Sequence, residues 1–191
     1  DLTTTTVYQP DKNLTEDSVM VVSAHPLASD VGADIMRSGG NAVDATIAVQ
    51  FALAVVYPRA GNLGGGGFMV LRESDGMTDA LDYREKAPAA ADRDMYLDST
   101  EQVIKGLSTA GHLASGVPGT VAGMWAAHQK YGKLPWADLV RPARKLAADG
   151  FKLSETETDR FNNFQEAFQE HNTQQNVFMP ADTFTVGFVF K

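Results

Sequence analysis

The chain has 191 residues, and its 24 acidic against 16 basic side chains give a formal charge of −8 with no basic block, which argues against a nucleic-acid binder. Apolar residues at 43% and charged residues at 21% are ordinary for one globular domain and unlike a disordered chain. The absence of cysteine excludes disulfides, thiolate zinc sites and a cysteine nucleophile together.

Residues 1–17 are polar, contain Pro10, and read as a flexible arm preceding a domain at 18–191. The arm carries Asn13-Leu14-Thr15, a glycosylation acceptor pattern. It opens at Asp1 with no basic or apolar leader, so a processed start is expected. Ser18-Val19-Met20-Val21-Val22 predicts a short buried strand. Pro26 fits the first position of a helix, and Leu27, Val31 and Ile35 form its apolar stripe. Gly39-Gly40 stops it. Asn41 is a good N-cap for a second helix, with Asp44 in its first turn. From Ala42 to Val56 almost every position is apolar, which predicts burial on all sides. Asp44, Thr46 and Gln50 interrupt this stretch, and a spanning helix wants about 20 mainly apolar residues, so no membrane span is read here.

Gly61-Asn62-Leu63-Gly64-Gly65-Gly66-Gly67 lacks the Lys-Ser/Thr of a P-loop and the register of a dinucleotide motif. It reads as backbone that must pass close to other backbone. Phe68–Arg72 and Thr78–Tyr83 predict a hairpin around Asp75-Gly76, with Arg84-Glu85 just beyond. Residues 86–112 read as irregular, and Ser115–Gly119 as a turn into a helix at Thr120–Tyr131. Pro135–Asp149 predicts another helix, and Ser154 with Glu157 a capping box opening a helix to about Glu170. Phe184–Phe190 alternates like a strand that should pair within the domain or with a partner.

The chemistry-bearing residues are sparse. His25, His112, His128 and His171 share no metal-ligand spacing, and no metal or cofactor is expected. No GxSxG elbow occurs, and the pairs Asp92/Asp94 and Glu155/Glu157 read as solvated surface. Residue chemistry alone gives an α/β globular piece with a glycine-walled pocket and no nucleophile–base pair.

The order of segments adds more. Ser38-Gly39-Gly40-Asn41-Ala42-Val43-Asp44-Ala45, Pro58–Met69, Asp82-Tyr83-Arg84-Glu85-Lys86-Ala87-Pro88, Asp94–Leu97, Ser115–Gly123 and Leu146–Phe151 together resemble the γ-glutamyltranspeptidase (glutathione hydrolase) family, in register over residues 18–151. The resemblance implies an α/β (α+β) fold, part of the αββα sandwich of N-terminal-nucleophile hydrolases. It implies a precursor that cleaves itself into a large and a small subunit, this chain matching the N-terminal part of the large one. The nucleophile would be the N-terminal Thr of the small subunit, with its own α-amine as base, acting on glutathione and other γ-glutamyl compounds. No catalytic residue is then expected in this chain, because internal threonines such as Thr120 lack a free amine. A periplasmic or extracellular, bacterial-type location follows from the same resemblance. Related self-processing acylases (the cephalosporin acylases) and a non-catalytic truncated relative that acts only by binding are the alternatives.

Within the chain, the resemblance assigns Arg84 the α-carboxylate of the γ-glutamyl group. A guanidinium fork suits a carboxylate. A surface ion pair with Glu85 or Asp82 is the competing reading of the same residue.

Overall fold

Proline and asparagine set the first two helices. In a computed structural model that describes residues 15, 17–180 and 182–191, helix α1 (Pro26–Arg37) starts with Pro26 behind the cap residue His25. The His25 ring accepts the Leu27 N–H on Nδ1 at 3.2 Å. Helix α2 (Ala42–Val56) opens with the full reciprocal cap between Asn41 and Asp44. Asn13 and nearly all of the 1–17 arm lie outside the described residues.

α2 is the scaffold. It packs against α1, α3 (Thr120–Tyr131) and α4 (Trp136–Asp149). Its Ile47 and Phe51 sit in a first core with Met69, Met124 and Leu139. Its Ala52 and Val56 sit in a second core with Ala28, Phe151, Phe161 and Phe190. Burying a side chain as large as Ile47 contributes about 1.5–3 kcal/mol.

Asp44 is a fully buried carboxylate, and its oxygens account for that. They accept backbone N–H groups from Asn41 (3.1 Å), Lys133 (3.1 Å) and Leu134 (3.2 Å). Asn41 Nδ2 donates to the Tyr131 carbonyl at 2.6 Å. The start of α2 is thereby stapled to the α3–α4 turn.

Strands β1 (Phe68–Arg72) and β2 (Thr78–Asp82) pair antiparallel from Phe68↔Asp82 to Arg72↔Thr78. Asp75 Oδ1 accepts the Met77 N–H in the turn, and Gly76 takes φ +90°. Met69 faces the core, while Phe68 and Val70 point outward, 63% and 83% exposed. No helix among the described residues is long and apolar enough to cross a membrane.

Four sequence expectations change, the first being that α2 is not buried on all sides, since Ala42 and Thr46 on its first turns are exposed. Residues 18–22 form no strand, and Val22 is 82% exposed. An apolar run without a ladder partner has nowhere to place its backbone hydrogen bonds, and among the described residues none pairs with it. The helix expected to run to Glu170 breaks at Phe164 into α5 (Glu155–Asn163) and α6 (Gln165–His171). Asn162 sits at the break, donating from Nδ2 to the Phe184 carbonyl (3.0 Å) while its Oδ1 accepts the Phe184 N–H (2.8 Å). The strand read over 184–190 shrinks to β4 (Val189–Phe190), paired with β3 (Phe151–Lys152). A turn at Gly187, φ +82°, ends the alternation; the Leu153 N–H donates to the Phe188 carbonyl and the Leu153 carbonyl accepts the Gly187 N–H.

Candidate functional site

Arg84 follows directly on β2, and everything around its backbone is tight. Tyr83 N–H donates to the Gly67 carbonyl at 3.0 Å, extending the hairpin by one residue. Arg84 N–H donates to Asp82 Oδ1 at 3.0 Å. Two residues on, Lys86 and Val117 exchange backbone hydrogen bonds of 3.1 and 2.8 Å. The Tyr83–Lys86 segment is thus held from both sides.

The glycine-rich loop does the holding. Asn62 Oδ1 accepts the Gly65 N–H at 2.9 Å and the Thr120 hydroxyl at 2.6 Å. The Gly65 carbonyl accepts the N–H groups of Gly119 (2.8 Å) and Thr120 (3.0 Å). These bonds dock the loop on the start of α3. The docking leaves no room for a side chain at Gly66 or Gly119. A Cβ at Gly66 would stand 2.7 Å from Arg84 Cα, and one at Gly119 would stand 2.0 Å from the Tyr83 carbonyl oxygen. Glycine is required at both positions for close approach, which the sequence reading expected for the Gly61–Gly67 run and not for Gly119. The Tyr83 ring is wedged against Gly123, and burial pushes its phenol pKa up.

The Arg84 head is free where its backbone is not. The side chain is 67% exposed, and its guanidinium carbon stands 6.0 Å from the centre of the Phe68 ring. Nε lies 3.9 Å from Glu85 Oε2, a loose and solvated contact worth at most about 1 kcal/mol. Asp82 is engaged by the Arg84 amide instead of its guanidinium. The arrangement offers a carboxylate a fork on a rigid base, with an aromatic face beside it. A groove of about 370 Å³ runs along β1, bounded by Phe68–Glu73, Tyr83 and the start of α2.

Asn62 and Phe68 belong to this site and were not singled out from the sequence, and Thr120, named there only to be excluded as a nucleophile, belongs with them. An Asn inside a glycine run was the available hint, because its side chain can cap local backbone N–H groups.

A further polar constellation joins His25 and Glu157, 132 positions apart. Nε2 of His25 lies 2.8 Å from Glu157 Oε1. With Nδ1 accepting from Leu27, the proton sits on Nε2 and is donated to Glu157. Burial alone pushes the Glu157 pKa up, but the hydrogen bonds from His25 and Ser154 outweigh it, and the net direction is down. The nearby Ser23 hydroxyl contacts Ser29 Oγ and the His25 carbonyl, not the ring. Ser23, His25 and Glu157 therefore form no catalytic triad. Among the described residues there is also no cluster of three potential metal ligands.

Comparison with known proteins points one way. The gamma-glutamyltranspeptidase family profile matches residues 28–190. A glutathione hydrolase proenzyme from Pseudomonas sp. (strain A14) is 56% identical over 140 residues, covering 73% of this chain and 24% of that protein. The crystal structure of Helicobacter pylori gamma-glutamyltranspeptidase superposes with a TM-score of 0.85 at 40% identity, covering 93% of this chain and 52% of that one. A cephalosporin acylase from Bacillus halodurans has a TM-score of 0.73 at 22% identity, covering 96% of this chain and 37% of that one, a likeness of fold alone. The chain spans about a quarter of the length of the curated relatives it matches.

Proposed function

Because this chain belongs to the γ-glutamyltranspeptidase family, we propose that it is the N-terminal part of the large subunit of a γ-glutamyltransferase/glutathione hydrolase, with Arg84 as its substrate-binding residue. The observation that carries the reading is the pinched Tyr83–Arg84 backbone beneath an exposed guanidinium. Such a base fixes where the fork points, and an α-carboxylate is the matching group on a γ-glutamyl substrate.

In this reading the nucleophile is the N-terminal Thr of a small subunit, outside this chain. Its hydroxyl oxygen attacks the γ-carbonyl carbon, the α-amine takes the hydroxyl proton, and the amide nitrogen leaves protonated as the free amine. Water or an amino acid then attacks the resulting ester and releases the glutamyl group. Arg84 holds the far end of the substrate through both steps. The outward faces of Phe68 and Val70, and the edge of β1 that is unpaired among the described residues, are where the rest of the sandwich would pack. We place the mature protein in the periplasm or outside the cell.

Mass analysis of a native preparation, paired with a γ-glutamyl anilide assay, tests the reading. A second chain beginning with Thr should be present whenever product is released. Saturable release by the 191-residue chain alone would overturn it.

A further inference from the structure

A cleft of about 350 Å³ opens between the end of α2 and the α5–α6 pair. Val56, Tyr57, Phe161, Phe164, Phe168 and Phe178 form its apolar wall. The rings touch one another, with centroids 5.4 Å apart for Phe168–Phe178 and 5.8 Å for Phe161–Phe178. Arg59 and Arg160 line the same cleft, and among the described residues neither is ion-paired. The wall's acid, Glu157, is already engaged, by His25 at 2.8 Å and by the Ser154 N–H and hydroxyl at 2.7 Å each.

The cleft thus combines an aromatic body, two unpaired guanidiniums and no free carboxylate. Its volume falls within the roughly 300–1,000 Å³ usual for small-molecule sites, which pair apolar walls with a few placed polar groups. The charge selects an anion and excludes a cation that the rings might otherwise attract. The planar fork of arginine selects a carboxylate it can grip through two parallel hydrogen bonds. The rings select a flat partner that can stack offset or edge to face. A sugar phosphate would leave its polar body against phenylalanine, and the unmet hydrogen bonds oppose it.

We propose that this cleft binds a small aryl carboxylate, its ring among Phe161, Phe164, Phe168 and Phe178 and its carboxylate on Arg59 and Arg160. The inference does not depend on the role given to Arg84.

Titration calorimetry on the 191-residue chain with 4-phenylbutyrate tests it. The acid should bind saturably at one site. 4-Phenylbutyramide, which lacks the charge, and butyrate, which lacks the ring, should each bind at least tenfold more weakly. Arg160→Gln and Arg59→Gln, on separate elements, and Phe164→Ala, at a side chain 53% exposed, should each weaken the acid at least fivefold. Unchanged melting temperatures would show that each variant keeps its fold. No saturable binding at millimolar acid, equal affinity for acid and amide, or all three variants binding as the parent does would overturn the proposal. So would octanoate binding as tightly as 4-phenylbutyrate.

Discussion

Gly119 lies against Tyr83 so closely that a methyl group on its Cα would stand 2.0 Å from the Tyr83 carbonyl oxygen. That contact is backbone on backbone, and no rotamer change can relieve it. Gly119→Ala should therefore destabilise the chain by about 1–3 kcal/mol, the usual cost of overpacking. Gly64→Ala is the matched control, because nothing lies within 4 Å of a Cβ there. Urea unfolding of both variants checks this, and equal midpoints would contradict the clamp.

Arg84→Ala, made in the two-subunit enzyme, should lower kcat/KM for a γ-glutamyl anilide. Stripping one partner from a buried charge pair costs roughly 2–5 kcal/mol, or about 30- to 5,000-fold in rate. Arg84→Lys should recover only part, since the charge returns without the fork. A substrate lacking the α-carboxylate should lose much less. Maturation into two chains should proceed as before. Normal processing with full kcat/KM would return Arg84 to a surface ion pair.

Asp44 should be among the most sensitive core positions. Its removal by Asp44→Ala leaves the N–H groups of Asn41, Lys133 and Leu134 without their acceptor. An unmet buried amide costs about 1–3 kcal/mol, and with Lys133 exposed and Asn41 and Leu134 half-buried a loss of about 2 kcal/mol or more is expected. Asp44→Asn keeps one acceptor oxygen and should lose less. A thermal or denaturant shift under about 1 kcal/mol for Asp44→Ala would show that water replaces the carboxylate.

Acid should remove one specific support from the hairpin. Asp79 accepts from Lys130 at 2.6 Å and from the Tyr131 hydroxyl, and the two hold its carboxyl pKa down at about 2. A carboxylate held below its ordinary value stabilises the fold fully above that value. The contribution then fades as pH falls from about 4 through about 2. The stability gap between the parent and Asp79→Asn should follow that window, largest above pH 4 and closed below pH 2. A gap independent of pH would point to packing instead of charge.

The order and ends of most helices were legible because they are local. The Asn41/Asp44 cap, Pro26, Gly39 and Gly150 each act within a turn of where they stand. The hairpin was legible for the same reason, through Asp75-Gly76. What failed was decided at a distance. Residues 18–22 carry strand composition but have no partner among the described residues, and the Phe164 break coincides with a hydrogen-bonded pairing of Asn162 with Phe184, 22 positions on. At the site, Arg84 could be singled out by its motif. Asn62 and Thr120 could not, because their 2.6 Å hydrogen bond spans 58 positions and leaves no periodic trace. The same holds for His25 and Glu157.

The sharing of α2 between two cores has a dynamic consequence. Ile47 and Phe51 anchor one cluster, Ala52 and Val56 the other, and successive turns of a single helix join them. Neither cluster can open by itself without pulling on a helix the other still grips. Amide hydrogens along α2 should accordingly exchange last and only when the whole unit opens. Residues 87–116, largely exposed, belong to neither cluster, and their amides should exchange sooner than those of α2.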